Sequence, residues 1–156
     1  MAPRAGDGDG SSTGPEDPPG ARGVPENPGA RGVPEDGEAA GEAYSRFQEG
    51  SRLLESGNTH AAIISLERAR ELEPEKGSIR EALARAYFRS GRIDAAAEEF
   101  EKVVELDPVN DYAHFGLGMC LLRRGERDAA RGHLKLATIM RPEAEEYQAA
   151  LRQASA

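Results

Sequence analysis

The chain has 156 residues, with 28 acidic and 20 basic side chains, a net charge of −8 and a pI near 5.0. That balance excludes duplex DNA and anionic membrane as main partners, because both attract basic surfaces. One cysteine allows no internal disulfide and no cysteine-built zinc cage, and no apolar run approaches the ~18 residues of a membrane span.

The opening MAPRAGDGDG lacks the apolar core of a signal peptide, so the expected setting is the cytoplasm. Residues 1–40 hold 9 of the 18 Gly and 7 of the 10 Pro, with 3 basic and 8 acidic residues and no Leu, Ile, Phe or Tyr. Such a segment buries too little apolar surface to offset chain entropy and is expected to be a disordered tail. Inside it PGARGVPEN (19–27) is followed by PGARGVPED (28–36). The duplication reads either as slippage in a low-complexity tail or as a two-copy recognition motif.

Beyond residue 40 the composition changes. All eight aromatic residues lie there, and the three remaining prolines, Pro74, Pro108 and Pro142, are 34 residues apart. Alignment on them gives three ungapped copies, 43–76, 77–110 and 111–144. Gly57, Gly91 and Gly125 share one column; Gly50, Ala84 and Gly118 another; Ala62, Ala96 and Ala130 a third; Leu66, Phe100 and Leu134 a bulky one. Apolar residues recur at helical spacing on both sides of each column glycine. Each copy therefore reads as two helices, broken by a glycine C-cap and stopped by proline. Helices are expected near 41–56, 59–72, 77–90, 93–106, 111–124 and 127–140. The small columns are expected to face each other across each hairpin, where a large side chain would overpack. Residues 143–156 carry an apolar stripe, Ala144, Tyr147 and Leu151, with polar residues opposite, and read as a solvating end helix.

Period, small pair, turn glycine and closing proline together resemble the tetratricopeptide repeat family over residues 43–142. The resemblance implies an all-α, right-handed α-solenoid of three helix-turn-helix units (41–142) with a C-terminal capping helix (143–156) behind the tail (1–40). The fourth position of each copy departs from the family, which often has Trp; here it is Arg46, Arg80 and His114.

No catalytic constellation is visible. His60, His114 and His133 show no i, i+4 metal spacing, and they read as solvated or half-buried side chains. Cys120 sits mid-helix between apolar neighbours and reads as a buried thiol. No enzyme activity, metal or cofactor is expected.

The family resemblance also places a binding face on the first helix of each copy. It implies a groove that includes Phe47 and Ser51 from copy one, Glu81, Arg85, Phe88 and Arg89 from copy two, and Tyr112, Phe115, Met119 and Arg123 from copy three. Aromatic anchors edged by arginines suit a partner peptide or helix with apolar and acidic character. Some family members grip acidic chaperone C-termini with a carboxylate clamp of Lys, Asn and Arg. The matching positions here are Phe47, Ser51, Ala82, Tyr112 and Gly116, so that mode is not expected. The expected function is an adaptor that binds a protein partner as a monomer or weak homodimer, with no nucleic acid or membrane. The alternative is a scaffold that self-associates through its terminal helices.

Overall fold

The computed structural model describes residues 34–156, which form seven helices: α1 (Pro34–Glu55), α2 (Thr59–Leu72), α3 (Gly77–Arg89), α4 (Ile93–Leu106), α5 (Asp111–Arg123), α6 (Arg127–Met140) and α7 (Glu145–Ser155). No strand occurs among the described residues. The expected tail as far as residue 33 lies outside them, with the first nonapeptide and most of the second. Each helix packs on the next, and α1 touches α3, α3 touches α5 and α5 touches α7, so alternate helices line one face of a right-handed α-solenoid.

The hairpin turns follow from glycine. Gly57, Gly91 and Gly125 have φ of +89°, +85° and +82°, the left-handed region that favours glycine. The amides of Asn58, Arg92 and Glu126 reach back to the carbonyls of Leu53, Tyr87 and Leu121 at 2.8, 2.9 and 2.9 Å. These bonds use up carbonyls that each first helix leaves open at its C-terminus.

One boundary differs from expectation. The first helix starts at Pro34, not near 41, so the tail boundary expected at residue 40 falls inside α1. Proline is tolerated at a first helical position because its missing N–H would have no helical partner there. Ala40 and Ala43 are buried, and Glu42 pairs with Arg68 of α2 at 3.1 Å. Small side chains hold this extension against the fold, which a search for large apolar residues overlooks.

The bulky column packs directly against the glycines of the small column. A Cβ on Gly50 would lie 2.5 Å from Leu66 Cγ, and one on Gly118 would lie 2.6 Å from Leu134 Cγ. The bulky column supplies the nearest atoms over both glycines. Ala62, Ala96 and Ala130 are fully buried, and the Ala130 carbonyl oxygen lies 3.4 Å from the position of a Gly118 Cβ, a contact of the kind expected across the hairpin.

The fourth-position column fastens the joints between copies. Arg80 Nε donates to the Pro74 carbonyl at 2.7 Å, and His114 Nε2 lies 2.9 Å from the Pro108 carbonyl. Gln148, in the same register on α7, donates to the Pro142 carbonyl. These carbonyls lie outside the helical ladder and need donors of their own. Two fourth-position side chains also turn inward to their own hairpin. Arg80 pairs with buried Glu99 at 2.8 Å, where Arg70 of α2 also binds, and His114 meets His133 of α6. Two guanidiniums compensate the buried Glu99 carboxylate, which would otherwise be costly to desolvate. Among the described residues Arg46 has no earlier copy to bind, and it makes surface pairs with Glu42 and Glu49.

The end helix closes the array. Ala144, Tyr147, Ala150 and Ala154 are buried, while Glu145, Glu146, Arg152 and Gln153 face outward. Tyr147 donates its hydroxyl to Asp111 Oδ2 at 2.8 Å, and Arg141 Nε reaches the same oxygen at 3.0 Å. One carboxylate thereby ties α5 to α7 and to the end of α6. Burial and this bond raise the Tyr147 phenol well above its ordinary range.

Candidate functional site

Helices α3 and α5 run side by side on the face lined by alternate helices. Between them is a cavity of about 280 Å³. Arg85, Phe88 and Arg89 of α3 line one wall, and Tyr112, Phe115, Gly116 and Met119 of α5 line the other. Phe100 of α4 also lines it. The spacing of Arg85, Phe88 and Arg89, and of Tyr112, Phe115, Gly116 and Met119, is the i, i+3, i+4 pattern that puts residues on one helix face.

The aromatic residues form a connected series. Phe100 meets Tyr112 edge-on, with centroids 6.0 Å apart at 70°. Tyr112 and Phe115 are 6.2 Å apart, and Phe115 stacks on Tyr147 of α7 at 4.6 Å and 24°. These separations match favourable aromatic pairing. A Cβ on Gly116 would lie 2.3–2.6 Å from the Phe100 ring, so that ring rests directly against the α5 backbone.

The rim is cationic. Arg123 holds its guanidinium 5.1 Å from the Phe88 ring centre, and Arg89 donates to the Leu54 carbonyl of α1 at 3.0 Å. The lining includes two arginines and no carboxylate.

Six of the ten residues expected from the sequence are brought together here: Arg85, Phe88, Arg89, Tyr112, Phe115 and Met119. Arg123 joins them through Phe88. Phe47 and Glu81 are buried and lie outside the cavity lining. They share the fifth position of their copies with Phe115, which is half-buried. Fifth-position side chains are covered where a full repeat follows, and Phe115, followed only by α7, stays partly open. Ser51 is half-buried on α1 and is not part of the lining. Phe100 was assigned to packing alone and missed. Its signal was the exchange of Leu for Phe in the bulky column together with Gly at 116.

The other reactive side chains are accounted for by packing. Burial pushes the Cys120 thiol up to about 12, which suppresses the thiolate. His114 and His133, read as separate from the sequence, stack at 5.3 Å with Nδ1 atoms 3.1 Å apart. The Pro108 carbonyl can only accept, so the proton of a neutral His114 is on Nε2. Its Nδ1 then accepts from His133 Nδ1–H. Burial, with His114 alongside, lowers the His133 pKa from 6.5. Among the described residues no three His, Cys, Asp or Glu side chains approach closely enough to hold a metal ion, and no helix is long and apolar enough to cross a membrane.

A tetratricopeptide repeat model matches residues 47–111 and 81–145, and the chain belongs to that family. No curated protein matches it. Solved structures share the fold. The TPR2B domain of yeast Sti1, solved with pHsp70, is 19% identical with a TM-score of 0.69, covering 73% of this chain and 96% of that one. The Yersinia enterocolitica type III secretion chaperone SycD, in complex with a peptide of the translocator YopD, is 19% identical with a TM-score of 0.65, covering 71% and 90%. The Arabidopsis OM64 TPR domain is 14% identical with a TM-score of 0.70, covering 72% and 93%.

Proposed function

We propose that the chain is a non-catalytic adaptor of the cytoplasm that binds a segment of a partner protein in the groove between α3 and α5. The observation that carries this reading is the cavity itself, whose apolar and aromatic walls are edged by Arg85 and Arg89. Apolar walls release water from a ligand's side chains, and guanidiniums bind carboxylates at two points. The similar structures of SycD with a YopD peptide and of Sti1 with pHsp70 support a segment of a protein as the class of ligand. The chaperone carboxylate clamp is a poor model for this groove. Its matching positions hold Phe47, Ser51, Ala82, Tyr112 and Gly116, which offer no cation.

The test is affinity capture from source-cell lysate with mass spectrometry, comparing the full chain with an Arg85→Glu, Phe88→Ala, Phe115→Ala variant of unchanged helicity. A protein held by the first and lost by the second is expected. Equal recovery by both would remove the groove from the function. Self-association is the second reading, favoured by Leu136 and Ile139 of α6, which are 42% and 73% exposed. Under the adaptor reading, light scattering should give a monomer or a weak dimer.

A further inference from the structure

We infer that two copies of this chain associate through the outer face of α6, antiparallel about a two-fold axis, with each small residue of one helix under a large residue of the other. This rests on self-association, the second reading above, and names its surface and arrangement. The groove, on the face lined by α1, α3, α5 and α7, stays open in both copies.

The second helix of each copy turns three equivalent positions outward. They are Ile64, Arg68 and Glu71 in copy one, Glu98, Lys102 and Glu105 in copy two, and Gly132, Leu136 and Ile139 in copy three. Arg68 pairs with Glu71 at 3.3 Å, and Lys102 with Glu105 at 3.7 Å. Copy three puts Leu136 and Ile139 in place of that ion pair, 42% and 73% exposed. Ile64 is exposed as well, but it stands beside Arg68, and a single apolar side chain on a surface is ordinary. Two large ones on one stripe, where the other copies carry charge, form an interaction patch.

Gly132 is a separate observation. It lies inside α6, its φ is not positive, and a Cβ on it would meet nothing within 4 Å. Neither turn geometry nor packing within the chain requires glycine there, and inside a helix glycine is less stable than alanine. On an exposed helix face it lets another helix come close.

The order of the stripe selects the occupant. Ala129, Gly132, Leu136 and Ile139 follow at spacings of 3, 4 and 3, as in a coiled-coil seam, and the buried Ala130, Leu134 and Ala137 hold the opposite side of the helix. Along the chain the stripe runs small, small, large, large. Against its own reversal, Gly132 meets Leu136 and Ala129 meets Ile139, and the two-fold repeats both contacts. A parallel pairing would set glycine on glycine and leucine on leucine, a gap beside an overpacked layer. A patch complementary to its own reversal suits a second copy, since a two-fold interface uses the same surface on both sides. Residues 1–33 are a poor cover, because beyond Ala and Pro their apolar side chains are Met1, Val24 and Val33. One helix face per copy is a small contact, so the dimer is weak.

Sedimentation equilibrium of the full chain up to about 1 mM should show a reversible dimer. Leu136→Lys with Ile139→Glu installs the pair that copy two already carries, and its melting temperature in dilute solution reports the fold. Its dissociation constant should rise about tenfold or more. Gly132→Leu should weaken the dimer equally and leave the monomer at least as stable, because a Cβ there meets nothing in its own chain. In a mixture of isotope-labelled and unlabelled chains, nuclear Overhauser contacts should join the Leu136 methyls of one copy to the Gly132 α-protons of the other. A dimer indifferent to the folded variants, or contacts that join Leu136 only to its own equivalent, would overturn the inference and leave self-association standing. A monomer at every concentration would overturn both, and contacts from its Leu136 to Val24 or Val33 would make residues 1–33 the occupant instead.

Discussion

Two glycines on the same solenoid are required for opposite reasons. Gly91 has φ +85° and open space around its missing Cβ, so a side chain there is strained only by the backbone. Gly118 has ordinary helical geometry, but its Cβ would lie 2.6 Å from Leu134 Cγ. Gly91→Ala should cost about 1–2 kcal/mol and Gly91→Asn less, since Asn tolerates the left-handed region. Gly118→Ala should cost about 1–3 kcal/mol by overpacking, and Gly118→Asn more. Thermal melts of the four variants test this. An Asn that improves on Ala at 118, or fails to at 91, would contradict the assignment.

Between elements, the His114–His133 contact makes the α5–α6 hairpin sensitive to acid. The folded His133 pKa lies below 6.5, so as pH falls the unfolded chain takes up a proton first. Its contribution is fully present above about 6.5 and is lost as pH drops toward the lower folded value. The melting temperature should therefore decline below pH 6.5, and His133→Gln, which keeps a donor toward His114 without titrating, should flatten that decline. An identical pH profile for the variant would show that the pair does not contribute. Helical periodicity alone cannot show such a contact, because the two rings lie 19 residues apart on different helices and meet only once the hairpin closes. The same limit hid Phe100, whose column served packing in the other two copies. By contrast, the bounds of α2, α4 and α6 were legible to the residue, since glycine and proline punctuate them. The inner-face residues Arg85, Phe88 and Met119 followed from register once the period was found.

For the whole molecule, α1 begins at Pro34, ahead of the boundary expected at residue 40. Removing residues 1–33 should leave the helices in place and the far-UV signal per molecule nearly unchanged. Cutting on to residue 43 removes buried Ala40 and Ala43 and the Glu42–Arg68 pair, and should lower the melting temperature by several degrees. Equal melting of the two truncations would return the boundary to residue 40. Deleting 145–156 should do more damage, because it strips Tyr147 from Asp111 and uncovers Phe115. Array ends need such a cover because a repeat cannot bury its own apolar face alone.

The bonds from Arg80, His114 and Gln148 to the closing prolines also bear on binding kinetics. Each sets how one first helix sits against the repeat before it, and so the distance between α3 and α5 is settled before any ligand arrives. On the groove reading, a partner would meet a surface already held in place, which lowers the ordering cost on this side of the complex. Association should then run at roughly 10⁵–10⁷ M⁻¹s⁻¹ in a single phase, with differences among ligands expressed in how slowly they leave.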